Sequence, residues 1–389
     1  MRRRRACFCI ERSPRACLAL HRLREMHSVG RLGRESLVGE GRSENMMSAE
    51  ENCVEIRVRG RWITTPAVDV NGKKLIATGK WLRTAKVRSE DMMEKELESP
   101  EVYIQKLKGD AKDALKADIF TFTQKLPATR PKYPYPMEWE SVAAIHLTTF
   151  KEWWDSLPQE TRKNVRRSQK RGVTVRIKEF DDDLIHAIRQ VNDESPLRQG
   201  MRNGYYGKGY EETKKLYGEF IGRCDFICAC FGDEPIGFLH LVYRGEVASI
   251  LNLTTKQSHF DKRPANALVA KMVELCEAKG ISYISYGLYN YGNKRDHPLR
   301  TFKIRNGFSE ILMPRFFVPV NGWGRFCMKA KLHRGRIGIF PHSVITIAAD
   351  VRSLWYKSAS FMSRCSSKTE QPNSHRPMER SIPPAGSST

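Results

Sequence analysis

No apolar run in the 389 residues approaches the roughly 18 needed to cross a bilayer as a helix. The ten cysteines include no Cys-x-x-Cys pair, and no histidine-rich segment accompanies them. A structural zinc site is therefore excluded from the reading, and reduced thiols in a cytoplasmic protein without a metal are expected. A phosphate-binding P-loop, a nucleophile elbow and a Gly-x-Gly-x-x-Gly turn opening a helix are all missing. Kinase, serine-hydrolase and dehydrogenase chemistry have no foothold. No internal repeat is present. Lysine is absent from the first 45 residues, which hold eleven Arg and five Glu, although it is common from Lys73 onward.

That leading stretch does not read as a signal peptide, because Glu11, Arg12 and Arg15 interrupt the apolar segment such a peptide needs. Translation from Met46 or Met47, with 1–45 as a disordered leader or upstream sequence, is the expectation. The chain carries a net charge of +23, and the leader's +6 leaves about +17 for the body. Such an excess points either to anionic partners (phosphate-bearing small molecules, RNA, acidic lipid) or to a solvated basic surface. The composition, 40% hydrophobic and 29% charged, suits one large globular domain with extensions or two smaller ones.

Val54, Ile56 and Val58 alternate, and Asn71-Gly72 marks a turn before Leu75, so a small β unit is expected near the start. A helical pattern runs over 100–125, four prolines break the chain over 127–136, and 141–147 reads as a strand. Residues 150–172 read as a helix. Phe226–Phe231 and Ile236–Tyr243 are apolar runs joined by Gly232-Asp233-Glu234-Pro235, a hairpin signal. Glu246–Leu253 is the next strand, and a polar, basic loop over 254–263 follows. A helix then opens at Pro264, with Leu268, Met272, Leu275 and Cys276 on one face and Gly280 as its C-terminal cap. Ile281–Leu288 is a strand, Pro298 opens a short helix ending at Asn306-Gly307, and Arg315–Val318 closes the pattern.

Hairpin, strand, loop, helix, strand, short helix ending in Asn-Gly-Phe, strand: this order over residues 150–320 resembles the acyl-CoA N-acyltransferase (GNAT) fold. The basic stretch Thr161–Gly172 (TRKNVRRSQKRG) is similar to the FemAB-like and BioF2-like branch of that superfamily. The resemblance implies an α/β (α+β) protein with a mixed, mostly antiparallel sheet flanked by helices and a smaller N-terminal subdomain. With composition and patterning read outside that stretch, the expected division is leader (1–45), α/β subdomain (46–149), acyltransferase domain (150–320), basic amphipathic segment (321–362) and a tail (363–389) rich in Ser and Pro and expected to be disordered. Within 321–362, Val344, Ile347, Val351 and Trp355 share one helical side, which suits either packing on the domain or peripheral contact with an anionic membrane.

The activity implied is transfer of an acyl group from acyl-CoA to a small-molecule or peptide amine. The alternatives are aminoacyl transfer from tRNA and a non-catalytic basic module binding RNA or anionic lipid. Cofactor contacts fall on the stretch Lys256–Asn266, where His259, Lys262, Arg263 and Asn266 meet a helix N-terminus that favours phosphate. Lys303 is a further candidate for a CoA phosphate. The family's glycine-rich loop signature is missing there, and a plain loop-and-cap role stays open. Tyr289 is the candidate acid for the leaving group and Glu194 the candidate base. Over 192–206, Arg198, Gln199, Tyr205 and Tyr206 combine charge, amide and aromatic groups without core periodicity, as acceptor-binding loops do. Arg162, Arg166, Arg167 and Lys170 form basic ridges on one helix, fit either for anions or for water.

Overall fold

The computed structural model describes residues 53–58, 61–109, 115–198, 201–290 and 297–334, all within one compact unit. Strand β1 (Cys53–Val58) pairs antiparallel with β2 (Arg61–Val70). Asn71 and Gly72 turn β2 into β3 (Lys73–Thr78) with φ of 54° and 73°, the left-handed pair that a two-residue hairpin requires. Strand β4 (Thr84–Val87) follows. Helix α1 (Pro100–Lys108) is shorter than its periodicity predicts. Ile119–Thr123 (IFTFT) is strand β5 instead, because branched and aromatic side chains suit a buried pleated surface. Strand β6 is Met137–His146.

The single helix expected over 150–172 is two, α2 (Phe150–Ser156) and α3 (Gln159–Lys170). Pro158 forces Leu157 out of helical geometry, to ψ 145°, and so breaks the run. Strand β7 (Val173–Lys178), helix α4 (Asp182–Asn192), a minimal hairpin β8 (Leu197–Arg198) and β9 (Met201–Arg202), and helix α5 (Tyr210–Tyr217) come next. Then follow β10 (Cys224–Phe231), β11 (Glu234–Arg244), β12 (Val247–Thr255), a 3-10 turn over Gln257–Lys262, α6 (Pro264–Ala278) and β13 (Tyr283–Leu288). Helix α7 (Pro298–Arg305), a long β14 (Ser309–Pro319) and α8 (Gly322–Lys329) complete the described chain. The amphipathic stretch around 344–355 lies outside the described residues.

Twelve strands form one sheet in the order β1-β2-β3-β4-β5-β14-β6-β13-β12-β11-β10-β7. Only β4–β5 and β12–β13 are parallel. The fold is thus mixed α/β with a mostly antiparallel sheet, as expected. On one face, Leu268, Met272, Val273 and Cys276 of α6 pack with Trp153 and Val165 on Ile227, Leu239, Leu241 and Ile284. Each such side chain contributes on the order of 1.5–3 kcal/mol by leaving water. On the other face α4 and α5 bring Leu184, Ile188, Val191 and Tyr217 onto Phe226, Cys228 and Phe238. A further core stacks Phe120, Phe122 and Phe316, and β14 runs between β5 and β6, paired with both.

Two glycines are required by geometry. Gly280, at φ 67°, closes α6. Gly307, at φ 85°, lies against Trp153, where a Cβ would stand 2.7 Å from the indole nitrogen. That nitrogen donates to the Asn306 carbonyl at 3.2 Å, so Asn-Gly-Phe is the seat of the α2 tryptophan.

Candidate active site

Parallel strands β12 and β13 pair only at Val247–Tyr283, Ala248–Ile284 and Ser249–Ser285. Beyond that point β13 follows β6, with Leu288 opposite Val142, while β12 stays on β11. A bulge at Leu251 bends β12 further: His240 faces Asn252 although the next residue, Leu241, faces Ile250. Two parallel strands that part toward their C-terminal ends leave a crevice, the position where sheets of this kind receive ligands. Leu251–Thr255 and Tyr286 are half-buried along it, and Gly287 and Leu288 are exposed.

At the end of β12 the 3-10 turn leads to Arg263, which adopts a left-handed conformation (φ 57°, ψ 40°) to start α6. A non-glycine residue there costs about 1 kcal/mol. The Arg263 side chain is exposed and has no hydrogen bond or ion pair among the described residues. Lys262 lies over the Phe231 ring at 4.6 Å and 3.7 Å from Asp261. His259 shares a hydrogen bond with Ser258 at 3.0 Å and stands 3.5 Å from Glu234. Asn266 donates to the Asn306 side chain at 3.0 Å and so tethers α6 to the end of α7.

Glu194 reaches this turn from the far side of the sheet. Its carboxylate accepts from the Gln257 amide at 2.6 Å, the Ser258 amide at 2.9 Å and the Ser258 hydroxyl at 2.7 Å. Partial burial works to raise its pKa, but the Ser258 and Gln257 donors outweigh it and hold the group below the ordinary carboxylate range. A carboxylate fixed in this way is an internal anion that caps the turn, a poor fit to the expected role of base.

The 192–206 stretch is a built loop. Buried Asn203 donates to the carbonyls of Asn192 and Ser195, and Arg198 donates to the Val191 carbonyl at 2.7 Å. Burial lowers the Arg198 pKa, with Glu194 opposing. Tyr206 is 45% exposed. The Tyr205 hydroxyl accepts from Asn252 on β12 at 3.3 Å, and the Arg57 guanidinium from β1 lies 4.6 Å from the Tyr205 ring centroid. Arg57 also donates to the Gly204 carbonyl at 2.9 Å. Gln199 lies outside the described residues.

Tyr289 is at the C-terminal end of β13. Its amide donates to the Ser141 carbonyl at 2.8 Å, its ring packs under Arg300 at 4.9 Å, and 8% of the residue is exposed. Lys303 of α7 reaches back to the end of β13. It is fully buried, donates to the carbonyls of Tyr286 and Leu288, and lies over the Tyr286 ring; burial pulls its pKa down to about 8. Its observed position is a clamp on the end of β13, a correction to its reading as a cofactor contact.

Residues 159–295, about a third of the chain, match the family model described as an acetyltransferase (GNAT) domain. The chain carries a GNAT domain. No curated protein matches at the sequence level. Among solved structures the chain is similar to that of FemX, at 10% identity over 69% of this chain and 89% of that one, with a TM-score of 0.46. It is also similar to L-PGS from Bacillus licheniformis, at 15% identity over 66% and 84% with a TM-score of 0.45. A tandem GNAT protein from the clavulanic acid biosynthesis pathway gives 12% identity over 67% and 82%, with a TM-score of 0.36.

The GNAT domain begins on α3, whose buried Thr161, Val165 and Ser168 face inward. Arg162 is 3.9 Å from Asp155, and Arg167 is 3.8 Å from Glu160 and donates to Asn164. Arg166 lies over Trp154 at 5.7 Å, and Lys170 is exposed with no acidic partner among the described residues. The ridges are therefore partly neutralised, with Arg166 and Lys170 left to solvent. Among the described residues no cluster of three or more metal-ligating side chains is found, and no helix is long and apolar enough to span a membrane.

Three groups at the crevice are not among the residues singled out from the sequence. Asn252 was legible as the one amide within an apolar strand. Arg57 gave no signal, being brought in from β1. Arg244 donates to Ser249 at 3.0 Å and Ser285 at 3.4 Å, just where β12 and β13 begin to part, and burial lowers its pKa to about 10. Arg244 on β11 and its partners on β12 and β13 are spread over three strands, so no local motif marks it.

Proposed function

We propose that this GNAT domain moves an acyl group from acyl-CoA to the amine of a small molecule or peptide. The observation that carries the reading is the parting of β12 from β13 beside the start of α6. The thioester would lie in that crevice, its phosphates toward Arg263, Lys262 and the amide end of α6. The acceptor would enter from the opposite face, where Tyr205, Tyr206, Arg198 and Asn252 stand. The amine nitrogen attacks the thioester carbonyl, a C–N bond forms and the C–S bond breaks. The departing thiolate takes a proton from the Tyr289 hydroxyl, and the ammonium proton returns to Tyr289 through water. Holding amine and thioester together supplies much of the acceleration, so no strong base is needed.

A second reading, with aminoacyl-tRNA as donor, is favoured by one feature. Glu194 already occupies amides at the start of the 3-10 turn, while Arg166 and Lys170 stay open to a phosphate backbone. Thermal unfolding with acetyl-CoA, longer acyl-CoAs, free CoA and ATP separates the two. A ligand at about 100 times its Kd stabilises by roughly 2.7 kcal/mol. A rise in midpoint with CoA species that ATP does not match supports the first reading. No rise, or an equal one with ATP, refutes it, and charged tRNA is then the donor to assay.

A further inference from the structure

Trp81, Trp323 and Phe326 are 58%, 45% and 55% exposed, although tryptophan and phenylalanine are ordinarily kept from water. They form one patch. Trp323 meets Trp81 edge to face with centroids 6.5 Å apart, stacks on Phe326 at 5.3 Å, and donates its indole N–H to the Trp81 carbonyl at 3.0 Å. Trp81 precedes β4, and Trp323 and Phe326 share the outer side of α8, whose inner side buries Gly324 and Cys327.

The surroundings are positive. Lys80, Arg83 and Lys116 line the adjoining depression of about 770 Å³, and Arg325 lies on α8 between Trp323 and Phe326 in sequence. All four are exposed, and none has an acidic side-chain partner among the described residues. The depression's acid, Asp118, is engaged by the Arg83 amide at 2.7 Å and Asn321 at 2.9 Å, so it anchors the patch.

We infer that this patch docks the protein on a bilayer surface bearing anionic headgroups. Aromatic rings sit at the boundary between headgroup and acyl chain, and basic side chains beside them draw acidic lipid. A nucleic-acid strand fits less well, because the rings already face one another and leave no slot for a base to stack. The fold gives the docking a direction. Strands β13 and β14 both run antiparallel to β6, so α8, which follows β14, stands at the sheet end toward which the β12–β13 crevice opens.

The test uses the full chain with phosphatidylcholine vesicles, plain or with about one-third phosphatidylglycerol, in co-sedimentation at low and high salt. Binding is expected only to the anionic vesicles and should fall with salt. Replacing Lys80, Arg83 and Lys116 together by Gln should weaken it by about fivefold per charge. Brominated acyl chains should quench tryptophan emission, and W81F/W323F, checked for an unchanged unfolding midpoint, should lose most of that quenching while still sedimenting. The inference fails if the wild type ignores anionic vesicles or if the triple variant binds them as tightly. Quenching that survives in W81F/W323F would place the contact elsewhere and also overturn it. A triple variant that loses single-stranded RNA but not vesicles would make the patch a nucleic-acid surface. A dimer in lipid-free solution dispersed by the triple variant would assign it to a second copy of the chain.

Discussion

Glu194→Ala separates a structural anion from a catalytic base, because the two roles move different quantities. The carboxylate holds two backbone amides and one hydroxyl of the turn before α6. Losing a cap of this kind costs about 0.5–2 kcal/mol, with water replacing part of it at this half-exposed position. In a folded unit of this size that corresponds to a fall in unfolding midpoint of roughly 1–4 °C. The same change frees those amides for a ligand phosphate and removes a like charge from its path. Affinity for CoA should then rise, by about tenfold if roughly 1.4 kcal/mol of repulsion is relieved.

Lower intrinsic stability with a larger ligand-induced rise is the signature, read by thermal unfolding with and without CoA. The pH dependence follows in sign. A carboxylate held below its ordinary value of 4.5 adds stability that is complete above that pH and disappears as pH falls through the lowered value. Glu194→Gln should flatten the wild type's acid limb. An unchanged apo midpoint in Glu194→Ala, with turnover abolished and CoA affinity untouched, would refute this reasoning and restore Glu194 as the base.

Two further outcomes are expected. Tyr289→Phe should lower kcat by about 10²-fold with little change in CoA affinity, since it removes a proton donor without removing packing; equal kcat in steady-state assays would exclude the tyrosine as acid. His240 is buried with neither ring nitrogen hydrogen-bonded and stacks on Phe226 at 4.3 Å, and burial holds its pKa down at about 4. Stability should thus fall as pH drops from about 6.5 toward 4, and that slope should shrink in His240→Leu, measured by denaturant titration across the range.

The central strands, α6 and the Asn-Gly-Phe ending were legible because each is local: apolar periodicity, a proline start and a glycine stop lie within one segment. Three departures from the sequence reading share a cause. The helix pattern over 100–125 overran β5, where Phe122 stacks on Phe316 and Phe120 on Phe122, a gain that local propensity could not show. Lys303 read as a candidate contact for a CoA phosphate, yet its carbonyl partners are supplied by β13 in the folded chain. Glu194 read as a base because its residue type suits one, but its state is set by amides 63 and 64 residues away. In each case a partner distant in sequence decided the role.

The same non-local logic explains why strands ahead of the GNAT domain matter to the crevice. Asn252 and His240 lie on the sheet face covered by α4 and α5, opposite the face on which α6 packs. A donor held at the start of α6 and an acceptor held near Tyr205 would therefore meet only through the gap between β12 and β13. Tyr205 is fixed for that meeting from two sides, by Asn252 and by Arg57 of β1. Arg57 comes from outside residues 159–295, and so does Tyr289's anchor, the Ser141 carbonyl on β6. The matched domain supplies the crevice itself, while the strands before it hold in place both the Tyr205 ring on the proposed acceptor side and the residue proposed to protonate the leaving group.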